Sequence, residues 1–384
     1  MTLPGLVTAI PEPKPISRIS PSRFHSLKEC ALREAWASAN SGLLPVNAIA
    51  RLGSIAHRVL EEVGLGKLAS ETAIATRWDE LVADTHKAME REWLERHLVP
   101  LNRSVGDYEV RRLRCIRHAA RLLESSARGK KESEQKKQLQ EIQYEFWVQT
   151  PDGEVGGRID YVYRDANGIV VRDYKTGVIT DEESETGTIQ IKAEYQTQLM
   201  LYAALYNAST GEWPRHIEIV PLSGTTVRLD VQPEICKAIL TEALAVLKHM
   251  NEIVSEVKSS GISVMLDLVK PSPTICRYCT FRPWCPLYEN ARKQDDENQK
   301  WPRDVIGISK QIILLGNGTS AINVQEANRA ESTWVRGLTN DQVRHPAISQ
   351  LTVGCRLGLF NLGAGAGGSF TETQYTVIYR MNLD

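Results

Sequence analysis

The chain has 384 residues, 42% of them apolar, which suffices for one large domain with an appendage or for two domains. A formal net charge of −1 excludes a general polycationic surface, so a nucleic-acid partner would have to be met by a local basic groove. No apolar run is long enough to cross a bilayer, and Gly64-Leu65-Gly66-Lys67-Leu68 has the wrong spacing for a nucleotide phosphate loop.

In chain order, residues 1–18 read as a flexible leader. Met1 to Pro15 holds several prolines and lacks the charged start and apolar core of a signal peptide. Ile19-Ser20-Pro21-Ser22-Arg23 is a helix start, with a serine cap and proline in the first turn. The helix it opens carries Phe24, Leu27, Cys30 and Ala31 on one apolar stripe. A second helix begins near Leu52; Ile55, Val59 and Leu60 form its stripe, and His57 sits on the flank, where neutral imidazole readily binds divalent ions. Glu71 to about Val99 reads as a long amphipathic helix with Trp78, Leu81, Met89 and Trp93 as core contacts. Asp107 to Gln140 is helical and charge-rich. Arg111, Arg114, Arg117 and Arg121 recur every three or four residues and share a face, followed by Lys130, Lys131, Lys136 and Lys137. That face is a solvated surface or the rim of a groove that tracks phosphates, with Arg111 and Arg114 as nucleic-acid candidates.

Glu141 to Val148 alternates Ile142, Tyr144, Phe146 and Val148 on one side and should be the first strand of a sheet. Two β-branched and aromatic runs, Gly156 to Tyr163 and Ile169 to Gly177, then flank Arg164-Asp165-Ala166-Asn167-Gly168 and predict a hairpin. Strand alternation puts Asp173 and Lys175 on one face, with Tyr174 opposed, and the neighbouring strand can bring Asp160 beside them. Two carboxylates and an ammonium on one face suit a magnesium or manganese ion and a phosphate, the lysine orienting water or offsetting charge. Val178 to Thr188 is an acidic, polar loop near this site. On the helix from Ala193 to Tyr206, Gln198 and Tyr202 lie one turn apart and can aim together at the sheet. Two further strands, Ile217–Leu222 and Thr225–Val231, precede a long amphipathic helix from Pro233 to Val257.

The chain holds seven cysteines. Cys276, Cys279 and Cys285, spaced Cys-x2-Cys-x5-Cys in a proline-punctuated loop, do not look like a secreted disulfide framework; in a cytoplasmic protein they read as metal ligands. With distant Cys30 they supply four thiolates, suited to structural zinc or an iron–sulfur cluster, which the spacing does not separate. Cys115, Cys236 and Cys355 fall outside the pattern. Past a polar linker at 292–302 the composition changes. Strands are expected at Val305–Leu315, Ser320–Gln325, Leu351–Leu362 and Phe370–Met381, with Asn317-Gly318 as a turn and Glu326–Gln350 as a polar insert. A small barrel of the oligonucleotide-binding type over 303–384 fits these strands. Trp334, Arg336, Arg344, His345 and Phe360 would then form its stacking and phosphate surface.

Taken together, these residues resemble the PD-(D/E)XK nucleases of the RecB type, and within them the iron–sulfur branch that includes the AddB nuclease domain and the CRISPR-associated single-strand exonucleases. Ser20-Pro21-Ser22 before Cys30, Gly53-Ser54-Ile55-Ala56-His57 with Glu61, Gly156-Gly157-Arg158-Ile159-Asp160, Asp173-Tyr174-Lys175-Thr176-Gly177, Gln198 with Tyr202, and the late cysteine trio follow that family's order. The resemblance spans about Ile19 to Leu287. It implies an α/β fold: a restriction-endonuclease-like core of mixed sheet flanked by helices, under an arching helical N-terminal region. On this layout 19–291 is one nuclease domain, with a helical region over 19–140, the core over 141–260 and the cysteine cluster at 273–288. The resemblance further implies that His57, Asp160 and Asp173 bind the catalytic metal with the Tyr174 carbonyl. Lys175 would position the attacking water, Gln198 and Tyr202 would arrange the scissile strand, and Cys30, Cys276, Cys279 and Cys285 would hold a [4Fe–4S] cluster. The expected activity is metal-dependent cleavage of DNA, as an exonuclease on single strands or ends, in DNA repair, recombination or phage defence with a helicase or integrase partner. The alternative is a non-catalytic module that binds DNA ends or single strands within a larger complex.

Overall fold

The computed structural model describes residues 3–135, 142–180, 191–222, 225–260, 269–294, 300–327 and 329–382. Lys136, Lys137 and most of the expected acidic loop at 178–188 lie outside these residues, as do the side chains of Lys130 and Lys131. The chain opens with a short strand β1 (Leu6–Val7), then helices α1 (Pro21–Glu29), α2 (Ala31–Ala37), α3 (Ala48–Gly64), α4 (Glu71–Arg91), α5 (Leu101–Ser104) and α6 (Tyr108–Gln135). Strands β2 (Gln143–Gln149), β3 (Gly156–Asp165) and β4 (Gly168–Lys175) lead into α7 (Ala193–Thr210), β5 (His216–Pro221), β6 (Val227–Asp230) and α8 (Pro233–Ser260). Two short helices, α9 (Pro273–Cys276) and α10 (Pro286–Gln294), precede the C-terminal strands β7 (Val305–Leu314), β8 (Thr319–Gln325), β9 (Thr333–Thr339), β10 (Arg356–Phe360), β11 (Gly363–Ala364), β12 (Phe370–Thr371) and β13 (Val377–Met381).

The central sheet has the order β2-β3-β4-β5-β6, with β4 and β5 parallel and the other pairs antiparallel. Alternation along β4 and β5 divides its two faces. Val171, Ile217 and Ile219 pack toward α7, which α1 and α8 cover in turn; Tyr174 and Val220 pack toward α3, α4 and α6. Side-chain caps start the helices where the sequence asks for them: Asn47 Oδ1 accepts from the Ile49 amide at 2.9 Å, and Ser70 Oγ from Ala73 at 3.1 Å.

Several expectations are corrected. The leader is not loose: β1 pairs in parallel with β13, Val7 and Ile16 are buried, and the Trp36 indole donates to the Pro11 carbonyl at 2.8 Å. The first helix does not run through Cys30, which is extended (φ −155°, ψ 92°) and bridges to Val269, so α1 and α2 are separate. The helix expected over 71–99 ends at Arg91, where Glu92 turns extended.

The uniform alternation expected of the first strand also breaks. Glu145 adopts φ 51°, a region that non-glycine residues rarely occupy, and its register partner would be Asp160. On one side of this break Tyr144 pairs with Tyr161 and packs over Gly64 of α3; on the other, Phe146 pairs with Ile159 and meets Tyr206 of α7.

The C-terminal sheet has the order β1-β13-β10-β7-β8-β9-β12-β11. The polar insert contains β9, whose Val335 and Leu338 are fully buried. Among the described residues the sheet runs from β1 to β11 with no pairing between these two outermost strands. The polar linker is partly α10, and its Trp301 packs edge-on to Tyr288 at 5.8 Å. This sheet shares a core with the rest of the chain through Phe360, Val377 and Tyr379, whose hydroxyl donates to the Leu43 carbonyl at 2.7 Å.

Candidate active site and cysteine pocket

The pairing of β3 with β4 runs from the turn only as far as Tyr161 opposite Arg172. Beyond it the strands part, and the Asp160 carboxylate replaces the missing ladder acceptor: its Oδ2 takes the Tyr174 amide at 2.7 Å. Asp173, buried on β4, faces the same gap. Its Oδ1 accepts from Gln198 Nε2 at 3.0 Å, Gln198 Oε1 accepts from Lys175 Nζ at 2.9 Å, and Nζ stands 2.8 Å from Asp173 Oδ2 as an ion pair. The three side chains close a ring. Lys175 also lies over the Tyr195 ring at 4.9 Å. Tyr202 follows one turn along α7, its ring so close to Gly157 that a Cβ there would stand 3.3 Å from it, a physical reason for the Gly156-Gly157 pair. From the other side of the sheet α3 brings His57 Nδ1 to 3.9 Å from Asp160 Oδ2. Sequence reasoning thus named residues that the fold brings together around one gap.

The electrostatics suit a cation. Burial first, and then the charge of Asp173, raise the Asp160 carboxyl well above its ordinary range, the Tyr174 amide partly opposing them. Burial lowers the His57 imidazole, with Lys175 adding to the effect and Asp173 opposing it. Asp173 Oδ2 is buried, with the Lys175 ammonium beside it as an ion pair at 2.8 Å. Two desolvated carboxylates are the donor set that a hard divalent ion relieves. Among the described residues no three His, Cys, Asp or Glu side chains converge as closely as the ligands of a bound ion do.

Glu145 is the carboxylate that sequence reasoning missed. Burial and nearby Glu61 raise its carboxyl, and it in turn raises Asp160. The available signal was its register opposite Asp160, which the pattern of apolar residues concealed.

Cys30, Cys276, Cys279 and Cys285 line one cavity with Trp36, Val269 and Ile275. All four are free thiols. Burial pushes Cys30 up to about 12 and Cys276 up to about 11, and it raises Cys279 and Cys285 as well, Cys285 further through the other three sulfurs. Four desolvated thiols around an apolar space fit a soft metal centre, which would displace their protons. Buried Arg282 binds the loop from behind: its guanidinium donates to the carbonyls of Cys276, Arg277 and Cys279 at 3.0 Å each and to Asp304 Oδ2 at 2.7 Å. Asp304 also accepts from the Tyr288 hydroxyl at 2.7 Å, and Arg282 reaches Asn361. The cysteine loop is therefore tied to the C-terminal sheet.

The nucleic-acid candidates divide. Arg111 and Arg114 line a groove with Gly53, Thr176 and Leu222, and Arg114, Arg117 and Arg121 continue it along Val220, Pro221, Leu222 and Thr226. Arg111 is paired with Asp107 at 2.8 Å. Trp334 and Arg336 lie on one side of β9, the guanidinium 4.8 Å over the ring. Phe360 is corrected: it is fully buried against Tyr379 and cannot stack on a base. Arg344 and His345 are both engaged by Glu372, at 3.2 and 3.0 Å, and do not form an open surface.

Comparison with known proteins gives three findings. A family model described as the PD-(D/E)XK nuclease superfamily matches residues 18–286. No curated protein matches the sequence. A solved crystal structure of SSO0001 is similar at 11% identity and a TM-score of 0.26, covering 72% of this chain and 89% of that one.

Proposed function

The chain belongs to the PD-(D/E)XK nuclease superfamily, and from that premise we propose that it is a metal-dependent deoxyribonuclease acting on single strands or free DNA ends. The observation that carries the reading is the closed ring of Asp173, Lys175 and Gln198 beside Asp160. His57, Asp160 and Asp173, with the Tyr174 carbonyl, would hold magnesium or manganese. Such an ion supplies Lewis-acid polarisation of the phosphate. The protein's own groups do the positioning. Lys175, held between Asp173 and Gln198, directs an ammonium to where the attacking water and the developing phosphate charge must sit. Gln198 fixes that lysine, and Tyr202, whose hydroxyl burial keeps protonated, donates to the scissile strand.

We assign the four cysteines to the iron–sulfur branch of the family. Their thiols line one apolar cavity, which suits an iron–sulfur cluster or a single zinc, and the colour of the protein separates the two. The C-terminal sheet, residues 303–384, is read as a module of the oligonucleotide-binding type presenting Trp334 and Arg336, and 19–291 as the nuclease domain. A cytoplasmic role in DNA repair, recombination or phage defence, with a helicase or integrase partner, follows from that branch.

The test is an anaerobic assay on end-labelled single- and double-stranded DNA with manganese, magnesium or chelator. Wild type is expected to shorten single strands only with metal, and Lys175→Ala to lose activity by about a hundred- to a thousand-fold. The protein should be brown, since zinc thiolates are colourless. A folded protein that binds DNA and never cuts it would favour a recognition module.

A further inference from the structure

Trp147 is 40% exposed on the edge strand β2. The Arg18 guanidinium lies 4.7 Å over its ring, and its indole nitrogen donates to Gln149 Oε1 at 3.0 Å, which fixes the ring's orientation. Its register partner on β3 is Arg158, also exposed. Among the described residues neither arginine makes a hydrogen bond or an ion pair, so two cations flank a half-buried ring that Arg18 covers on one side.

Their place follows from the topology. Because β2 and β3 are antiparallel, β3 and β4 antiparallel, and β4 and β5 parallel, the ends of β2, β4 and β5 lie beside the start of β3. Along that one end of the sheet come, in order, Leu222 with the arginine-lined groove of α6, then Lys175 and Asp173, then Asp160, then Arg158 and Trp147. Neighbouring strands are about 4.8 Å apart, and Arg158 precedes Asp160 by two residues, about 7 Å. The groove is continuous with the site, since Gly53 lies against Thr176 and His57 is the next turn of the same helix.

We propose that Trp147, flanked by Arg18 and Arg158, is a nucleotide subsite for a single strand whose backbone crosses this end of the sheet. It takes the base next to the phosphate held at Asp160 and Asp173. The inference rests on the nuclease reading and deepens it by naming the side chain that would hold an unpaired base. A base offers its π face to an outside ring only when it is not stacked within a duplex, so the subsite selects single strands. The arginines neutralise the adjoining phosphates, and the opposite approach is covered by the α6 groove.

The test is oligonucleotide binding in chelator, where no cleavage is needed, by fluorescence anisotropy of a labelled oligothymidylate. Trp147→Leu is expected to bind about five-fold or more weakly, the lower end of what one stacked base contributes, while Trp147→Phe recovers most of the loss and duplex binding is unchanged. With metal present, Trp147→Leu should raise KM and leave kcat as it was, and an abasic residue at the contacted position should erase the difference from wild type. A Trp147→Leu variant that keeps the wild-type circular dichroism and binds single strands within about two-fold of wild type overturns the subsite. Equal weakening on duplex and single strand overturns the selectivity. Wild type that shows the binding difference and never cleaves leaves the subsite standing and removes the nuclease reading.

Discussion

Asp160 carries two duties that compete. Its carboxylate completes the β4 ladder by accepting the Tyr174 amide, and it also stands desolvated beside Asp173, which raises its carboxyl. The Lys175 ammonium offsets part of that repulsion, and a divalent ion would offset the rest. Replacing Asp173 by Asn removes one charge while keeping the shape and the Gln198 contact. We expect manganese to raise the melting temperature of wild type and not that of the Asp173→Asn variant, because an ion that binds only the native state stabilises it by mass action. Differential scanning calorimetry with and without manganese measures both, and an equal manganese shift in the two proteins would remove Asp173 from the ion's ligands. Arg282 is the contrasting case. It too is buried and charged, but Asp304 and three loop carbonyls satisfy it, so it specifies how the cysteine loop meets the C-terminal sheet.

Among the elements, α6 is where a sequence pattern acquires a direction. Helical spacing puts Arg114, Arg117 and Arg121 on one face, about 10 Å from first to last at 1.5 Å per residue. The fold turns that face toward the end of β5 and the start of β6, in line with Lys175. A solvated helix face would tolerate charge reversal; a phosphate track would not. Arg117→Glu is expected to weaken binding of single-stranded DNA for every sequence alike and to lower the slope of log K against log salt by about one. A salt titration of binding in chelator reads this directly, and an unchanged slope would return the arginines to the solvent.

At the scale of the whole molecule, the C-terminal sheet is joined to the N-terminal part of the chain at several places. β1 enters the C-terminal sheet, and the turn around Gln374 docks on the helical region, where the His97 Nε2–H donates to the Gln374 carbonyl at 2.7 Å and Gln374 Nε2 to the Ser104 carbonyl at 3.1 Å. Burial, and then the neighbouring Arg344, lower the His97 pKa to about 4. The folded protein therefore holds this imidazole neutral, and its Nδ1 is buried without a partner. Since the unfolded value is near ~6.5, the stabilisation is complete above that pH and is lost as pH falls toward the folded value. His97→Gln should flatten the fall in melting temperature between those two values relative to wild type. Parallel curves for the two proteins would mean that His97 is already neutral-indifferent and that the docking does not depend on it.

What could be read from the sequence was whatever local rules govern. The hairpin, the alternation that separates Asp173 and Lys175 from Tyr174, the one-turn spacing of Gln198 and Tyr202, and the cysteine spacing all depend on periods of two or 3.6 residues or on near neighbours in the chain. What only the tertiary structure decided depended on distant partners. Leu6 and Val7 form a strand because β13 offers an edge; Phe360 is buried because Tyr379 covers it. The strand β9 forms within a polar insert because β8 supplies its pairing. Glu145 turns toward Asp160 through a backbone angle that no residue pattern encodes. A short segment's own preferences span about 1 kcal/mol, less than what pairing along a strand and burial of its side chains contribute, so contacts remote in the chain settled these cases.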